Sequence, residues 1–399
     1  MKIAMISVSA SPLAAADGAD AKSVHVAELA RELGAQGHQV TIYTRRTDEA
    51  QRNRAKFATG VTVEHVTAGP IRQLSTEQLL PHLAAFGGQL ATRWAKAAPD
   101  VVHAHDWTSG LAALSGGNGL GIPMVQSYHS LGVIEQRYTG TAGPAARIRL
   151  EKATGRTVDA IIAGCVNERE DMVAMGMPRR HITVVPAGID VEKFTEQGPA
   201  YPRSDKRRLL MLCGPDESKG VGTAITMLSR VPGAELVIAG GPQREDLDID
   251  PDVHRLRILA KEHGVADRVI FLGRVGRRNV PRLLRSADLV LSLPAYEPYG
   301  LVPLEAMACG IPVVATEVGG HLDTVLDGVT GLLVPTGRPI ELARRIRGLL
   351  ADPTGLEALG IAAADRVRSR HAWSRVARET IAVYQRVARL EIEELESIA

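Results

Sequence analysis

Aromatic residues are scarce in this chain: Phe, Trp and Tyr make up 4% of its 399 residues. Charge of one sign is missing as well, since the formal net charge is only +2. Without a basic surplus or an aromatic-rich basic motif, nothing points to nucleic acid as a partner. Cysteine is nearly absent. Cys165, Cys213 and Cys309 are odd in number and scattered, which excludes a disulfide framework and a cysteine zinc site and leaves the cytoplasm as the expected location. No run of about 18 apolar residues exists, so no spanning helix is expected. Low-complexity segments and sequence repeats are also missing. What remains is 45% hydrophobic and 23% charged, an ordinary globular composition, with length for two to three domains.

The N-terminal "MKIAMISVSASPLAAADGADA" has the charged start, apolar run and small residues of a signal peptide. The run is short, however, and helical and strand patterns follow directly, so a first strand from Lys2 to Val8 is expected instead. Strands then read at "QVTIYTR", "VTVEHV", "VVHAH", "PMVQSY", "AIIAG" and "ITVVPAG", with helical patterns near 22–36, 76–97, 108–115, 144–158 and 167–175. A polar, Pro-rich stretch, "GIDVEKFTEQGPAYPRSDKRR", interrupts the alternation. It restarts with "LLMLCG", "ELVIAGG", "VIFLGRV", "LVLSLPA" and "PVVAT". The expected class is α/β, with two Rossmann-like doubly wound domains facing across a cleft. Their bounds are 1–194 plus 376–399, and 195–375. The final "HAWSRVARETIAVYQRVARLEIEELE" reads as an amphipathic helix packing on the body, with a homodimer coil as the alternative.

The stretch "YEPYGLVPLEAMACGIPVVATEVGG" carries the chemistry. It reads as loop, helix and buried strand: Gly300 frees the entry, Pro303 fits a first helical turn, and Gly310 with Pro312 ends the helix. Glu297 then precedes the helix and Glu305 lies about one and a half turns into it. Between them the amides of Gly300, Leu301 and Val302 form a place for an anion. Carboxylates accept bonds from diols. The pattern suits a sugar attached to a phosphate.

"EPYGLVPLEAMACGIPVVAT" resembles the E-x7-E motif of the family 4 retaining glycosyltransferases of GT-B fold. "HAHDWTSG", "VVPAGIDVEKF", "SADLVLSLPAYE" and "DGVTGLLVP" are similar to further motifs of that family, in the same order over nearly the whole chain. "SASPL", "GADA" and "YHSLGVIEQ" resemble the mycothiol-pathway branch, which glycosylates inositol phosphate. The resemblance implies a nucleotide-diphosphate sugar as donor substrate, no metal or other cofactor, and a final helix that crosses back onto the N-terminal domain. It also implies roles: Glu297 near the donor sugar, Glu305 on the ribose, His129 at the reaction centre, and Lys219 in "CGPDESKG" on the diphosphate. Backbone groups at Arg274 and Val275 would read the base, which leaves UDP, GDP and ADP sugars indistinguishable.

Two departures from the family stand out. Its second diphosphate cation, an Arg, falls on Gly214 or Pro215, and its paired glycines in the first loop fall on Asp20 and Ala21. The neighbouring Lys22 either restores the missing charge or is a surface lysine at a helix start. In the acceptor site, the positions that hold a phosphate as Lys, Tyr, Thr and Arg fall on Thr76, Asp106, Ser130 and Arg147. A carboxylate repels a phosphate by about 4 kcal/mol at ~4 Å and intermediate dielectric. The expected acceptor is therefore a small unphosphorylated molecule, neutral or with an amine for Asp106: a natural product, polyol, thiol or aminocyclitol. The alternatives are a mycothiol-type inositol-phosphate N-acetylglucosaminyltransferase, a sugar-nucleotide epimerase, or a weakened binding protein on the same fold. Metal-like patterns occur at His103, His105 and Asp106 and in "DLDIDPD". The first set alternates across a strand's two faces and the second reads as a solvated loop, so no metal is expected.

Overall fold

The computed structural model describes residues 1–14 and 21–398, so Asp20 lies outside the described residues. The chain divides into two compact units, Met1–Gly188 with Trp373–Ala399, and Ile189–Ala372. These boundaries fall a few residues before those expected at 194 and 376.

The first unit holds β1 (Lys2–Ile6), β2 (Gln39–Arg45), β3 (Arg54–Ala58), β4 (Val61–Val66), β5 (Val101–His105), β6 (Met124–Ser127), β7 (Ala160–Ala163) and β8 (Ile182–Val184). Their order is β3-β4-β2-β1-β5-β6-β7-β8, parallel except for β3, which runs antiparallel to β4. Five-residue β1 has four buried positions in a row, as a strand covered on both faces requires. The polar edge strand β3 has no such run and is invisible in the hydrophobic pattern. The helical pattern at 76–97 splits into Thr76–Leu79, a 3-10 turn Leu80–His82 and Leu83–Trp94. Pro81 lacks the N–H that would continue it. Helix Trp373–Ile398 belongs to this unit: Val376, Ala377, Tyr384 and Val387 are buried in its core beside Val26, Leu29 and Leu33 of helix Ala21–Ala35.

The second unit holds β9 (Arg207–Leu212), β10 (Ala234–Ala239), β11 (Val269–Gly273), β12 (Leu289–Ser292), β13 (Val313–Thr316) and β14 (Gly331–Val334), all parallel in the order β11-β10-β9-β12-β13-β14. β14, four buried residues long, was not among the strands expected from the sequence. Leu209, Met211, Leu236, Ile238, Leu289 and Leu291 fill the space between sheet and helices. Within "DLDIDPD", Asp250 caps helix Pro251–Glu262 at Val253 N (2.9 Å), and Asp248 pairs with Arg257 (2.7 Å).

Both sheets reverse direction of winding once, between β1 and β5 and between β9 and β12. Loops leaving the carboxyl ends of these strands part there and leave room for a ligand.

Candidate active site

In the first unit the loops after β1 and β5 meet at Asp106. Its Oδ1 accepts from Ser109 N (2.9 Å) and Thr108 Oγ1 (2.6 Å), which caps helix Trp107–Gly117. Its Oδ2 accepts from Lys22 Nζ (2.6 Å) and Ser9 Oγ (3.2 Å). Burial works against this carboxylate, but the Lys22 ammonium and the bonds from Thr108 and Ser109 outweigh it and hold its pKa below the ordinary value. Every strong acceptor position of Asp106 is thus filled from within the protein. An acceptor's amine could pair with it only by displacing Lys22. Lys22 is equally committed, its charge answered by Asp106 and its Nζ also 2.9 Å from Ser9 Oγ.

Asp106 (φ 81°) and His129 (φ 63°) are the two non-glycine residues at positive φ among the described residues. Both stand just past strand ends, β5 and β6, beside the reversal point. Such backbone strain costs about 1–3 kcal/mol per residue and is held where surrounding structure demands it. His129 Nε2 lies 3.0 Å from His105 Nδ1, and its ring packs 5.0 Å from that of His25. His25 reaches the cluster because it follows Lys22 by three residues on one helix face. His103 lies behind, its ring 4.1 Å from that of His105, and is fixed by Tyr384 Oη (2.7 Å) and Ser127 Oγ (2.9 Å). Burial lowers all four imidazoles, His25 to about 4, His103 to about 3, and His105 and His129 well below the ordinary value. They are neutral at neutral pH, so His129 offers hydrogen bonds and no charge.

His25, His105 and His129 form the group that comes nearest to a metal site among the described residues, with ligand atoms within 4.8 Å of one another. Ligands at about 2.1 Å from a zinc ion sit at most ~4.2 Å apart, so at full spread the trio is too open without movement. His103 and His105 share one side of β5 and Asp106 does not join them, as strand alternation requires.

Arg147 lies 7% exposed between two carboxylates, with Nη1 on Glu135 (2.6 Å) and Nε on Glu151 (2.7 Å), while Nη2 donates to Ser130 O (3.1 Å). Ser130 Oγ donates to Glu135. Glu151 is fully buried and also accepts from Gly132 N at 2.9 Å. Burial leaves its pKa above the ordinary carboxylate value despite Arg147. Neither glutamate was legible as a site residue: Glu135 pairs with Arg147 only once helix Arg147–Thr157 folds against helix Gly132–Thr139, and Glu151, four residues beyond Arg147 on one helix, is buried only by that packing. Thr76 is exposed at the start of its short helix.

In the second unit the loop after β9 carries Lys219 and the loop after β12 carries Glu297. They are tied together by Ala295 N to Ser218 O (2.9 Å). Gly220 permits this: its φ is 74°, and a Cβ there would stand 2.2 Å from Leu293 O. Burial pushes the nearby Cys213 thiol up to about 12, so it is no nucleophile at neutral pH. Lys219 is half-buried and joins no ion pair among the described residues. Helix Leu301–Ala308 starts at Gly300 (φ 68°) with Pro303 in its first turn. Glu297 Oε1 accepts from Gly300 N (3.1 Å) and Tyr299 N (3.3 Å), so the Gly300 amide is taken. Leu301 and Val302 keep outward amides, and Pro303 has none.

His321, which the sequence reading missed, braces this loop from below. It is fully buried, with Nδ1 2.8 Å from Thr316 O and Nε2 3.1 Å from Ser292 Oγ. A carbonyl only accepts, so Nδ1 carries the proton. Glu305 is 2% exposed and pairs with Arg277, whose guanidinium also sits 5.3 Å from the Phe194 ring centre. Arg274 is exposed and Val275 half-buried just after β11, and Arg274 N donates to Pro242 O (2.8 Å).

Residues 195–366 match the family model of glycosyl transferases group 1, and residues 23–193 that of glycosyltransferase family 4. The chain is 33% identical to D-inositol 3-phosphate glycosyltransferase 2 of Catenulispora acidiphila, over 96% of this chain and 95% of that one. Among solved structures it is similar to sucrose-phosphate synthase of Thermosynechococcus elongatus, with TM-score 0.83, 28% identity and coverage of 97% and 99%. It shares the fold of Anabaena HepE, solved in complex with UDP and glucose, with TM-score 0.73, 20% identity and coverage of 96% and 99%. No helix among the described residues is long and apolar enough to cross a membrane.

Proposed function

The chain belongs to glycosyltransferase family 4, and on that premise we propose that it moves a hexosyl group, with retention, from a nucleotide diphosphate sugar to a small unphosphorylated acceptor. The observation that carries the acceptor half is Arg147 held between Glu135 and Glu151. Two cations, Lys22 and Arg147, meet three carboxylates, Asp106, Glu135 and Glu151, and each cation is already paired. A phosphate brought there would lose its hydration and find no uncommitted positive charge. A polyol, by contrast, finds hydroxyls and a part-exposed Glu135. The reading departs here from relatives named for D-inositol 3-phosphate.

The donor half rests on Lys219, the Leu301 and Val302 amides, and Glu305 for the ribose diol, with no metal ion needed to hold the diphosphate. HepE, of the same fold, was solved with UDP and glucose, in keeping with a nucleotide donor. A double displacement would need a carboxylate free to attack the anomeric carbon. Glu297 is bonded to backbone amides and Asp106 to Lys22, so a front-face route is favoured. In it the bond from the anomeric carbon to the phosphate oxygen breaks and the acceptor oxygen bonds on the same face. The acceptor's proton goes to the departing phosphate. Lys219 and the amides stabilise the charge that develops. Neutral His129 bonds a sugar hydroxyl. Three cysteines with no disulfide among them fit a reducing cytoplasm.

The test offers purified enzyme and its nucleotide sugar to inositol phosphate and to a panel of unphosphorylated polyols, thiols and aminocyclitols. Faster turnover on an unphosphorylated member is expected. Preference for inositol phosphate would overturn the acceptor assignment and restore the mycothiol-type reading.

A further inference from the structure

We propose that Arg277 is the second donor-binding cation of the enzyme: it rests on Glu305 while the site is empty, then yields that carboxylate to the ribose and turns to the diphosphate. The inference rests on the donor reading above.

The loop after β9 supplies one cation, Lys219, where a diphosphate carries at least two negative charges. The other position in that loop is Gly214 or Pro215, which bring none. Lys22 is spent on Asp106 at 2.6 Å. Arg277 has the properties the remaining role requires. It stands in the loop after β11, whose frame is fixed by Arg274 N on Pro242 O (2.8 Å) and Asn279 N on Gly276 O (2.8 Å). The side chain is 39% exposed, while that of Glu305 is 3% exposed, so the guanidinium is the half of the pair that can leave. It pairs with Glu305 through Nη2 on Oε1 and lies 5.3 Å from the Phe194 ring centre.

Glu305 cannot be left bare. Burial raises its pKa, and Arg277 is the largest opposing influence. Two vicinal hydroxyls supply hydrogen-bond donors of the kind the guanidinium supplies, so ribose can take its place without stranding a buried carboxylate. Glu305 lies four residues beyond Leu301, about 6 Å along the helix. A guanidinium leaving Glu305 has about that distance to cover to the helix start, where the Leu301 and Val302 amides are not used by the helix. Planar and forked, it suits phosphate oxygens there.

Calorimetry on the full chain tests this with UDP, GDP and ADP, and then with the bare nucleoside of whichever diphosphate binds. The quantity read is the gain in affinity that the diphosphate adds over the nucleoside. Arg277→Gln is expected to cut that gain about tenfold or more while nucleoside affinity stays level or improves, and Arg277→Lys to restore part of it. Equal weakening of nucleoside and diphosphate would make Arg277 only a structural partner of Glu305. Equal tightening would make it only a plug in the ribose site, and no change would remove it from the donor site. Each of these overturns the inference and leaves the donor reading standing. A wild-type protein that binds none of the three diphosphates would sink both.

Discussion

The two units repeat one sheet, but they use the turns at its reversal point in opposite ways. In the first unit the turns place side chains, Asp106 and His129, on backbone at φ 81° and 63°. In the second the matching work falls to Gly220 and Gly300, at φ 74° and 68°. A glycine turn costs no steric strain and brings amides close to a ligand. A strained turn with a side chain is kept only where that side chain is needed. The difference fits the functions proposed above, in which the first unit offers hydroxyl and imidazole and the second holds a diphosphate through backbone and lysine. Charge follows the same division. Lys22 and Arg147 are consumed within the first unit, while in the second Lys219 joins no ion pair among the described residues and Arg277 is part-exposed on Glu305 and the Phe194 ring.

The contrast breaks most visibly at Arg147. Arg147→Ala leaves Glu151 buried without its cation, and unfolding free energy should fall by about 3–5 kcal/mol, read as a drop in denaturation midpoint. A midpoint near wild type would mean that the pair is not the scaffold of the first unit's site. In the second unit the role proposed for the cation is chemical instead. Lys219→Ala should lower turnover about a hundred- to a thousand-fold with an unchanged melting temperature. Turnover near wild type would remove Lys219 from the diphosphate.

Acid separates the units next. His103, His105 and His129 are buried neutral, with folded pKa values far below the unfolded value of about 6.5. Above pH ~6.5 both states are neutral and stability is complete. As pH falls toward 4 the unfolded chain takes protons that the folded one refuses, at about 1.4 kcal/mol per pH unit for each histidine. His25 keeps part of its surface in solvent, so its share is smaller. Hydrogen exchange between pH 7 and 5 should therefore show peptides of 1–188 losing protection before those of 189–372. The reverse order would contradict the imidazole account. The smallest effect concerns the strained turn itself. His129→Gly and His129→Ala should both impair turnover, yet the glycine variant should be the more stable by about 1 kcal/mol, because φ 63° suits it. Equal stabilities would mean that the turn is not strained.

Much of this was readable beforehand because it is local. Strand runs such as "KIAMI" and "PVVAT" announce themselves by composition, and the Gly300–Pro303 helix start follows from turn chemistry. β3 escaped because a polar edge strand carries too little apolar pattern, and β14 because "DGVTGLLVP" was read only as a family motif. At the candidate site, Glu297 and Glu305 were singled out by their spacing around a helix start, and Lys219 by resemblance to a family motif. His25, Glu135, Glu151, Arg277 and His321 were not, since each acquires its meaning from a partner distant in sequence or packed from another element.

The sequence by itself determined the element types, the two sheets and which residues end their strands, because hydrophobic period and turn residues act over a few positions. Only the tertiary structure decided which charges remain available to a ligand. Lys22 and Lys219 look alike in the sequence, each a lysine at the start of a helix after a first strand. One meets a carboxylate 84 residues away and is neutralised, and the other meets none among the described residues. An ion pair depends on distance and burial, and those exist only once the chain has folded.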